Sequence, residues 1–294
     1  MLQYLRKVRA TFEGSGGGLV VNPGALQTHE MKIAFNIQKD ISGVPNSATI
    51  DLWNLSEGHR NAVGKELDEV TLEAGYMPPG GGSNVGIIFK GQMRDVAHRR
   101  DGPDIITSLT CGDGDKALGR ATISRTFPRG TKVEDVVAAI NEEFARQNIA
   151  RGEWKGVGEL PTLTRPYSMC GSCSRELNRL GRTHGFYWSI QNGALEIIPG
   201  DGYIGGITFL TPTTGLIESP TITDNGVSAK ALLTPAIRPN RRVRIESEML
   251  TANGGGGDYR VSTASYVGDN RDGSFHVQFE GESISGGTVD EGRT

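Results

Sequence analysis

A charged Asp-Gly turn followed by an alternating run occurs twice in this chain, and no other sequence feature constrains the fold as much. The first copy is RRDGPDIITSLT at residues 99–110, and the second is NRDGSFHVQF at residues 270–279. Asp-Gly between strand-like runs is typical of a β-hairpin. The repeat predicts that the chain builds the same hairpin in two places.

Matching segments precede both turns in the same order. Val70 precedes Asp101 by 31 residues, and Val243 precedes Asp272 by 29. After the turn the apolar alternation is one residue out of phase between the copies, which a bulge or a different turn would absorb. The matched pairs are ATIDLWNLS with AKALLTPAI, VTLEAGY with VRIES, PPGGGSN with TANGGGG, and IIFKGQMRDVAHRRDG with YRVSTASYVGDNRDG. Such a duplication predicts two related β-domains.

Short alternating or β-branched runs, separated by Gly, Pro and Asn, predict antiparallel strands in both copies. The chain has 42 glycines and is only 6% aromatic, which favours turns and short elements. Between two of the runs, SEGHRNAVGKELDE predicts a short helix or turn with Ser56 as its N-cap. The predicted strands cover residues 32–37, 48–55, 70–74, 87–96, 105–111, 227–233, 242–246, 258–267 and 275–279.

The segment between the two β-regions contains helical patterns. Thr131 to Glu134 matches a capping box, and an apolar stripe at helical spacing follows from Val133 to Phe144. A second helix is predicted over residues 174–184, where Gly185 would end it. Asn192-Gly193 between two apolar runs then predicts a tight hairpin. This middle segment is therefore expected to be a small α+β unit.

The cysteines are too few and too odd in number for a disulfide framework, which favours synthesis in a reducing compartment. Cys170-Gly171-Ser172-Cys173 precedes a predicted helix, whose N-terminus could activate a thiolate, but no thioredoxin-like βαβ surrounds it. Zinc would need further ligands, for which only Cys111 and His184 remain. Buried or incidental thiols are the favoured interpretation. Replacing Cys170 and Cys173 with Ser is expected to leave folding and assembly largely intact.

No residue is assigned a catalytic, cofactor-binding or metal-binding role. Gly112-Asp113-Gly114-Asp115 lacks the spaced ligands of a calcium loop and predicts a strand-ending turn. The chain lacks GxSxG, and the acidic pairs Glu142-Glu143 and Asp68-Glu69 fall on predicted solvated faces. The histidines show no metal-ligand spacing and lie at positions 29, 59, 98, 184 and 276.

The charge balance does not favour a nucleic-acid-binding protein. Lys and Arg number 31 against 34 Asp and Glu, a formal net charge of -3. The densest basic cluster is RPNRRVR, with Arg238, Arg241, Arg242 and Arg244. Phosphate binding is one interpretation of it, but salt bridging across a subunit contact or plain solvation is favoured, because acidic residues follow directly.

Targeting and membrane signals are not evident in the sequence. The start, MLQYLRKVRATFEG, has no apolar core of a signal peptide. No apolar run approaches the length needed to span a bilayer. The protein is expected to be soluble as made.

The order of several motifs resembles the baseplate hub proteins of tailed bacteriophages over residues 30–282. The motifs are ATIDLWNLSEGHRNAV, VTLEAGY, IIFKGQMRDV, CGDGDKAL, RTFPRGTKVEDVVAAI, GFYWSIQNGALEIIP, LLTPAIRP and GDYRVSTASYVGDN. The resemblance implies two tail-tube-like antiparallel β-barrel domains that flank the α+β domain. We expect boundaries at 1–114 for the first barrel, 115–199 for the insertion, 200–282 for the second barrel and 283–294 for a flexible tail.

The resemblance also implies a structural function without an active site or cofactor. Three subunits would supply six barrels, which adapt a six-fold tail tube to a three-fold spike and enclose the DNA channel. The implied partners are two further copies of the chain, tail tube proteins, the central spike and the tape measure protein. DNA would pass through without specific binding, in a virion baseplate assembled in the bacterial cytoplasm.

Two alternatives remain open at this stage. The first is another tail component, such as a tube or spike-base protein. The second is a cell-wall-degrading tail enzyme, because a glycosidase carboxylate pair can come from residues distant in sequence. A deep pocket that holds two carboxylates with shifted pKa values would distinguish the enzyme from the scaffold.

Overall fold

A computed structural model describes residues 5–24, 30–77, 84–224, 226–247 and 257–283 of the 294-residue chain. The expected fold class, mainly β with an α+β insertion, is confirmed. In the first β-region Ser56 caps the predicted short helix, because its hydroxyl accepts a hydrogen bond from the backbone N–H of His59. The elements of this region are β1 (Leu5–Gly14), β2 (Gly17–Val21), β3 (Ile33–Asp40), β4 (Asn46–Trp53), α1 (Glu57–Ala62), β5 (Glu69–Met77), β6 (Gly86–Asp101) and β7 (Asp104–Asp113).

The α+β insertion has its own apolar core, formed by its helices and small sheets. Both predicted helices are present, and Gly185 ends the second in a left-handed conformation at φ 71°. The predicted capping box is wrong, because the N-cap residue is Lys132 and the Thr131 hydroxyl donates instead to the carbonyl of Pro128. The elements are α2 (Asp115–Arg120), β8 (Thr122–Phe127), α3 (Val133–Ala145), β9 (Ala150–Trp154), β10 (Tyr167–Ser172), α4 (Cys173–His184), β11 (Phe186–Gln191) and β12 (Ala194–Pro199).

The predicted Asn192-Gly193 hairpin is confirmed. It joins β11 to β12, with φ of 54° at Asn192 and 75° at Gly193. Positive φ at both central residues is the requirement of a type I′ turn, which Asn-Gly satisfies with little strain. The hairpin carries β9 on its outer side, where β9 runs parallel to β12.

The second β-region follows the insertion and contributes to the same sheet as the first. Residues 263–269 pair antiparallel with β3, so the two β-regions are continuous through hydrogen bonds. This long-range pairing was not predicted from the sequence. The strands of the second region are β13 (Ile204–Leu210), β14 (Thr221–Thr223), β15 (Gly226–Leu232), β16 (Arg241–Ile245), β17 (Gly257–Asp269) and β18 (Phe275–Ser283).

The internal repeat is visible in the strand order. In the first region the order is β4-β7-β6-β5, and in the second it is β15-β18-β17-β16. Arg94 is an extra residue of β6 in its pairing with β7, and Ser262 is an extra residue of β17 in its pairing with β18. Both bulges lie seven residues before the end of the strand (101 − 94 and 269 − 262). The two regions are thus related by topology as well as by sequence pattern.

The bulges show that part of the motif alignment was wrong. Counting from them, Asp101 corresponds to Asp269 and not to Asp272. The turn is tight in the first copy, at residues 102–103, and spans residues 270–274 in the second. A different turn length therefore explains the phase difference after the Asp-Gly motifs.

The repeat is incomplete at its outer strands. β1 runs antiparallel to β5, whereas β13 runs parallel to β16. The flexible tail was expected at 283–294, but Ser283 is the last residue of β18, and residues 284–294 lie outside the described residues. The glycine-rich stretch at 78–83 also lies outside them, as does 253–257 except for Gly257, the first residue of β17. None of the described helices is long and apolar enough to cross a membrane.

Candidate assembly surfaces

Two arginines of the RPNRRVR cluster share one carboxylate on the neighbouring strand. Arg242 and Arg244 of β16 lie 3.4 and 2.6 Å from the carboxylate of Asp258 on β17. The hydrogen bond from Arg244 lowers the pKa of Asp258 from its ordinary value. The pair is therefore an ion pair between strands at neutral pH.

The other two arginines bind acids of the insertion. Arg238 and Arg241 lie 3.6 and 3.4 Å from the carboxylate of Glu196 on β12, and Arg241 lies 3.2 Å from Glu153 on β9. The sequence favoured salt bridging across a subunit contact or plain solvation, whereas the salt bridges of the structure join acids of the same chain. Arg238 and Arg241 therefore hold the insertion against the second β-region.

Buried polar groups complete this junction. Glu196 is only 4% exposed and accepts a hydrogen bond of 2.8 Å from the side-chain amide of Asn240. That amide also donates to the hydroxyl of Ser189 at 3.2 Å. Because a buried charge must be paired and hydrogen-bonded, these contacts fix the orientation of the insertion.

A second junction joins the insertion to the end of β7. The carboxylate of Asp113 accepts hydrogen bonds from the backbone N–H groups of Asn192 (2.6 Å) and Gly193 (2.9 Å). The ammonium of Lys39 donates to the side chain of Asn192. Burial raises the pKa of Asp113 to about 6 and lowers the pKa of Lys39 to about 8. The Gly-Asp-Gly-Asp segment therefore makes a structural contact at the strand end.

Cys173 of the Cys-x-x-Cys segment is a buried thiol and not an activated one. Cys170 is exposed on β10, whereas Cys173 is buried at the start of α4. Burial raises the pKa of Cys173 to about 11 and that of Cys111 to about 12. A raised pKa disfavours the thiolate, which is the reactive and metal-binding form. Among the described residues, no group of three or more His, Cys, Asp or Glu could hold a metal ion.

The paired carboxylates considered as catalytic candidates make surface contacts with basic or amide groups. Glu143 is bonded to Arg146 of the same helix end, one turn away, and such pairs contribute about 0–1 kcal/mol. Their contacts are Glu142–Arg125 at 3.4 Å, Glu143–Arg146 at 2.6 Å, Asp68–Lys116 at 2.8 Å and Glu69–Asn148 at 3.1 Å.

The described histidines lie on separate elements. His98 contacts the hydroxyl of Thr107 at 3.1 Å, and burial lowers the pKa of His184 and of His276. His29 lies outside the described residues. None of the described histidines belongs to a group of three or more potential metal ligands among the described residues.

A cleft of about 440 Å³ is lined by residues of the three neighbouring strands β17, β3 and β4. Its acids include Asp269, which is paired with Lys32 at 3.2 Å, and Asp51, which lies 3.9 Å from Arg99. The cleft thus lies between the two β-regions and carries ion pairs on its walls.

Strand edges are the remaining surface feature, and an edge of unpaired N–H and C=O groups favours pairing with another chain. In the described part of the chain, β14 pairs only with β15, and residues 95–101 of β6 pair only with β7. Sequence reasoning missed these edges because they depend on long-range pairing. Apolar side chains are exposed nearby on the second β-region, including Phe209 (53%), Ile217 (44%) and Ile222 (45%).

The fold is similar to those of solved phage tail proteins. It matches the 43 kDa tail protein of prophage MuSo2 from Shewanella oneidensis with a TM-score of 0.62 at 9% identity, covering 95% of this chain and 98% of that one. It matches a tail protein from Neisseria meningitidis MC58 with a TM-score of 0.60 at 10% identity, covering 95% and 97%.

A secretion-system component has a similar fold. The E. coli c3393 protein, described as a type VI secretion component with structural similarity to the T4 tail proteins gp27 and gp5, matches with a TM-score of 0.58. The identity is 12%, and the match covers 88% of this chain and 75% of that one. At such identities these likenesses define the fold alone.

The family follows from the sequence itself. Residues 8–281 match the family described as baseplate hub gp41, which is nearly the whole chain. The protein therefore belongs to the baseplate hub gp41 family, as the resemblance of its motifs indicated. No curated protein matches the chain in sequence.

Proposed function

We propose that this protein is the structural hub of a phage baseplate, in which three copies close into a ring of six related β-domains. The observation that carries the proposal is the repeated strand order, β4-β7-β6-β5 and β15-β18-β17-β16, in a chain of the baseplate hub family. A repeated domain presents similar surfaces twice per chain. A closed ring of three such chains has pseudo-six-fold symmetry.

In the proposed ring, the β-domains of residues 1–114 and 200–282 alternate around a central channel. The insertion of residues 115–199 lies on the outside. Such a ring adapts the six-fold tail tube to the three-fold spike, and DNA passes through its channel. The proposed neighbours are the tail tube proteins, the central spike and the tape measure protein, in a baseplate assembled in the host cytoplasm.

The proposed role is structural and not enzymatic. Its support is that the acidic pairs of the sequence are engaged with basic or amide groups, such as Glu142 with Arg125 and Asp68 with Lys116. A turbidity assay on purified peptidoglycan tests this directly. Clearing of the suspension by the purified protein would contradict the structural role.

The ring is tested by the molar mass in solution, measured by sedimentation over a wide range of protein concentration. The expected result is a species of three times 31.5 kDa at high concentration. Electron micrographs of that species should show six lobes around a channel. A protein that stays monomeric at every concentration, or a particle without three-fold packing, would contradict the proposal.

A further inference from the structure

The junction between the two β-regions within one chain is formed by β3 against the bulged strand β17. Residues 263–269 of β17, which follow the bulge, pair with residues 40–34 of β3. Tyr266 lies opposite Ile37 in this pairing, and the two side chains are 1% and 0% exposed. The edge of β17 beyond its bulge is therefore filled by a strand of the other β-region.

The corresponding edge in the first β-region is not filled. Residues 95–101 of β6 follow the equivalent bulge and correspond to residues 263–269. His98 corresponds to Tyr266, because each lies four residues beyond its bulge (98 − 94 and 266 − 262). Residues 97–101 are exposed, and no strand of the described chain pairs with that side of them.

The strand that corresponds to β3 is β14. Reading across each sheet, Ile37 lies opposite Ala48, Ala48 opposite Cys111, and Cys111 opposite Met93, the residue just before the first bulge. The second series runs from Ile222 through Val227 and Gly281 to Val261, just before the second bulge. Each series crosses four strands and ends at the residue just before the bulge.

Ile37 and Ile222 are therefore equivalent in position. They differ in their surroundings, because Ile37 is 0% exposed beside β17, whereas Ile222 is 45% exposed. The exposed fractions differ because the strand of Ile37 is paired with β17, whereas the strand of Ile222 has no partner on the corresponding side in the described chain.

We propose that β14 of one copy pairs antiparallel with residues 95–101 of β6 in a second copy, with Ile222 opposite His98. This intermolecular junction repeats the intramolecular pairing of β3 with β17. It rests on the proposed ring and specifies which edges close it. Ile222 would then be buried as Ile37 is.

The occupant is a second copy because β14 does not reach β6 of its own chain. Six strands separate them in the sheet order β14-β15-β18-β17-β3-β4-β7-β6. At a strand spacing of about 4.8 Å, seven steps separate the two edges by roughly 34 Å along the sheet. The contact joins two different edges, so it is head-to-tail and closes when the rotation per chain allows it.

The test is a disulfide between copies. Directly opposite residues of antiparallel strands have Cα atoms about 4.5–5.5 Å apart, within the range that a disulfide bridges. The full chain carrying Ile222→Cys and His98→Cys, with exposed Cys170 replaced by Ser, should form a reducible ladder up to a trimer on mild oxidation. Each single variant should give no ladder, and neither should Ile222→Cys with Val44→Cys, since Val44 is 63% exposed but lies elsewhere.

A second variant measures the same junction without cysteine chemistry. Ile222→Lys should raise the dissociation constant of the trimer at least tenfold, because it places a charge where the second strand docks. The melting temperature of the monomer should not change, since Ile222 is half-exposed there. Val44→Lys is the matched control and should leave the trimer intact.

The outcomes separate this junction from the ring itself. A trimer by molar mass that forms no specific cross-link, or that tolerates Ile222→Lys, would contradict the β14–β6 junction and leave the ring standing. A protein that is monomeric at every concentration would contradict both. A ladder specific to the Ile222–His98 pair supports the junction and its register.

Discussion

The carboxylate of Asp113 accepts a hydrogen bond of 2.9 Å from the backbone N–H of Gly193, so the last residue of β7 holds the tip of the β11–β12 hairpin. Asp113→Asn should weaken this contact, because an amide can accept one of the two N–H bonds but presents its own donor to the other. The expected loss in the free energy of unfolding is about 1–3 kcal/mol. Urea denaturation at neutral pH measures it, and an unchanged midpoint would contradict the structural role.

The pH dependence of stability provides a further test of this buried pair. Burial raises the pKa of Asp113 from 3.8 to about 6, so its contribution to stability is present below pH 3.8 and lost as pH rises through 6. Burial lowers the pKa of Lys39 from 10.5 to about 8, so its contribution is present above pH 10.5 and lost as pH falls through 8.

Relative to a variant without these two groups, the free energy of unfolding of the native chain should therefore fall between pH 3.8 and 6 and rise between pH 8 and 10.5. The reference is the double variant Asp113→Asn, Lys39→Met, which lacks both titrating groups. Denaturation curves at each pH give the difference between the two proteins. A difference that is flat across both windows would show that neither group has a shifted pKa.

The Asn-Gly turn requires a left-handed backbone conformation at Gly193. Gly193 has φ of 75°, and an added Cβ would meet only ordinary contacts with Lys90 at 3.6 Å. The cost of Gly193→Ala is therefore conformational, about 1–2 kcal/mol, because an L-residue is disfavoured in the left-handed region. Thermal denaturation should show a lower melting temperature. Gly58→Ala, in α1 with open space around it, is the matched control and should stabilise slightly.

Local patterns explain which parts of the fold were predictable. The strands of the repeat, the two helices and the hairpin follow periodicities of a few residues, which the sequence displays directly. β1 has the same signal, since Val8, Ala10 and Phe12 alternate and are buried. This strand was not predicted, although its alternation is visible in the sequence.

Long-range partners explain what was not predictable. The pairing of β17 with β3 joins segments more than 200 residues apart, and no local pattern encodes it. The acid that binds Arg238 and Arg241 is Glu196, on another unit, so the arginine cluster alone could not reveal its partner. Lys39 is 3% exposed in a strand whose other inward residues are apolar, which is contrary to the usual binary pattern.

The cysteines revise one expectation. Cys173 is 0% exposed in the core of the insertion, so Cys173→Ser would place a hydroxyl among apolar side chains at a cost of about 1–3 kcal/mol. Cys170→Ser, at an exposed position, should leave stability unchanged. Denaturation of both single variants separates the two effects. Cys173→Ala removes the sulfur without adding a hydroxyl, so its comparison with Cys173→Ser isolates the cost of the buried hydroxyl. Stoichiometric zinc in the purified protein would contradict the structural interpretation of both thiols.

Arg260 is the largest of the fully buried side chains, at 2% exposure. Its guanidinium donates to the carbonyls of Gly200 (2.7 Å) and Gly202 (3.1 Å) and to the carboxylate of Glu282 (2.6 Å). Arg260→Met should lower the free energy of unfolding by about 1–3 kcal/mol, because it removes the donor to two backbone carbonyls and the ion pair with the partly buried Glu282. The double variant Arg260→Met, Glu282→Leu should recover part of the loss. A double variant no more stable than Arg260→Met would contradict this account.

Duplex DNA is expected to bind the native chain weakly, although the RPNRRVR cluster holds four arginines. Each of them is already paired with an acid, and Asp258 offsets one of the two positive charges of Arg242 and Arg244. Arginines paired in this way release few counterions from DNA, and in the proposed ring the cluster is expected to lie mainly off the channel wall, so the salt dependence of binding should be shallow. Fluorescence anisotropy of a labelled duplex at several salt concentrations measures it.

Asp258→Asn should strengthen binding at low salt by freeing two cations, whereas Asp201→Asn, with the same change of charge at an exposed site, should not. Tight and steeply salt-dependent binding by the native chain would count against a channel that passes DNA without holding it.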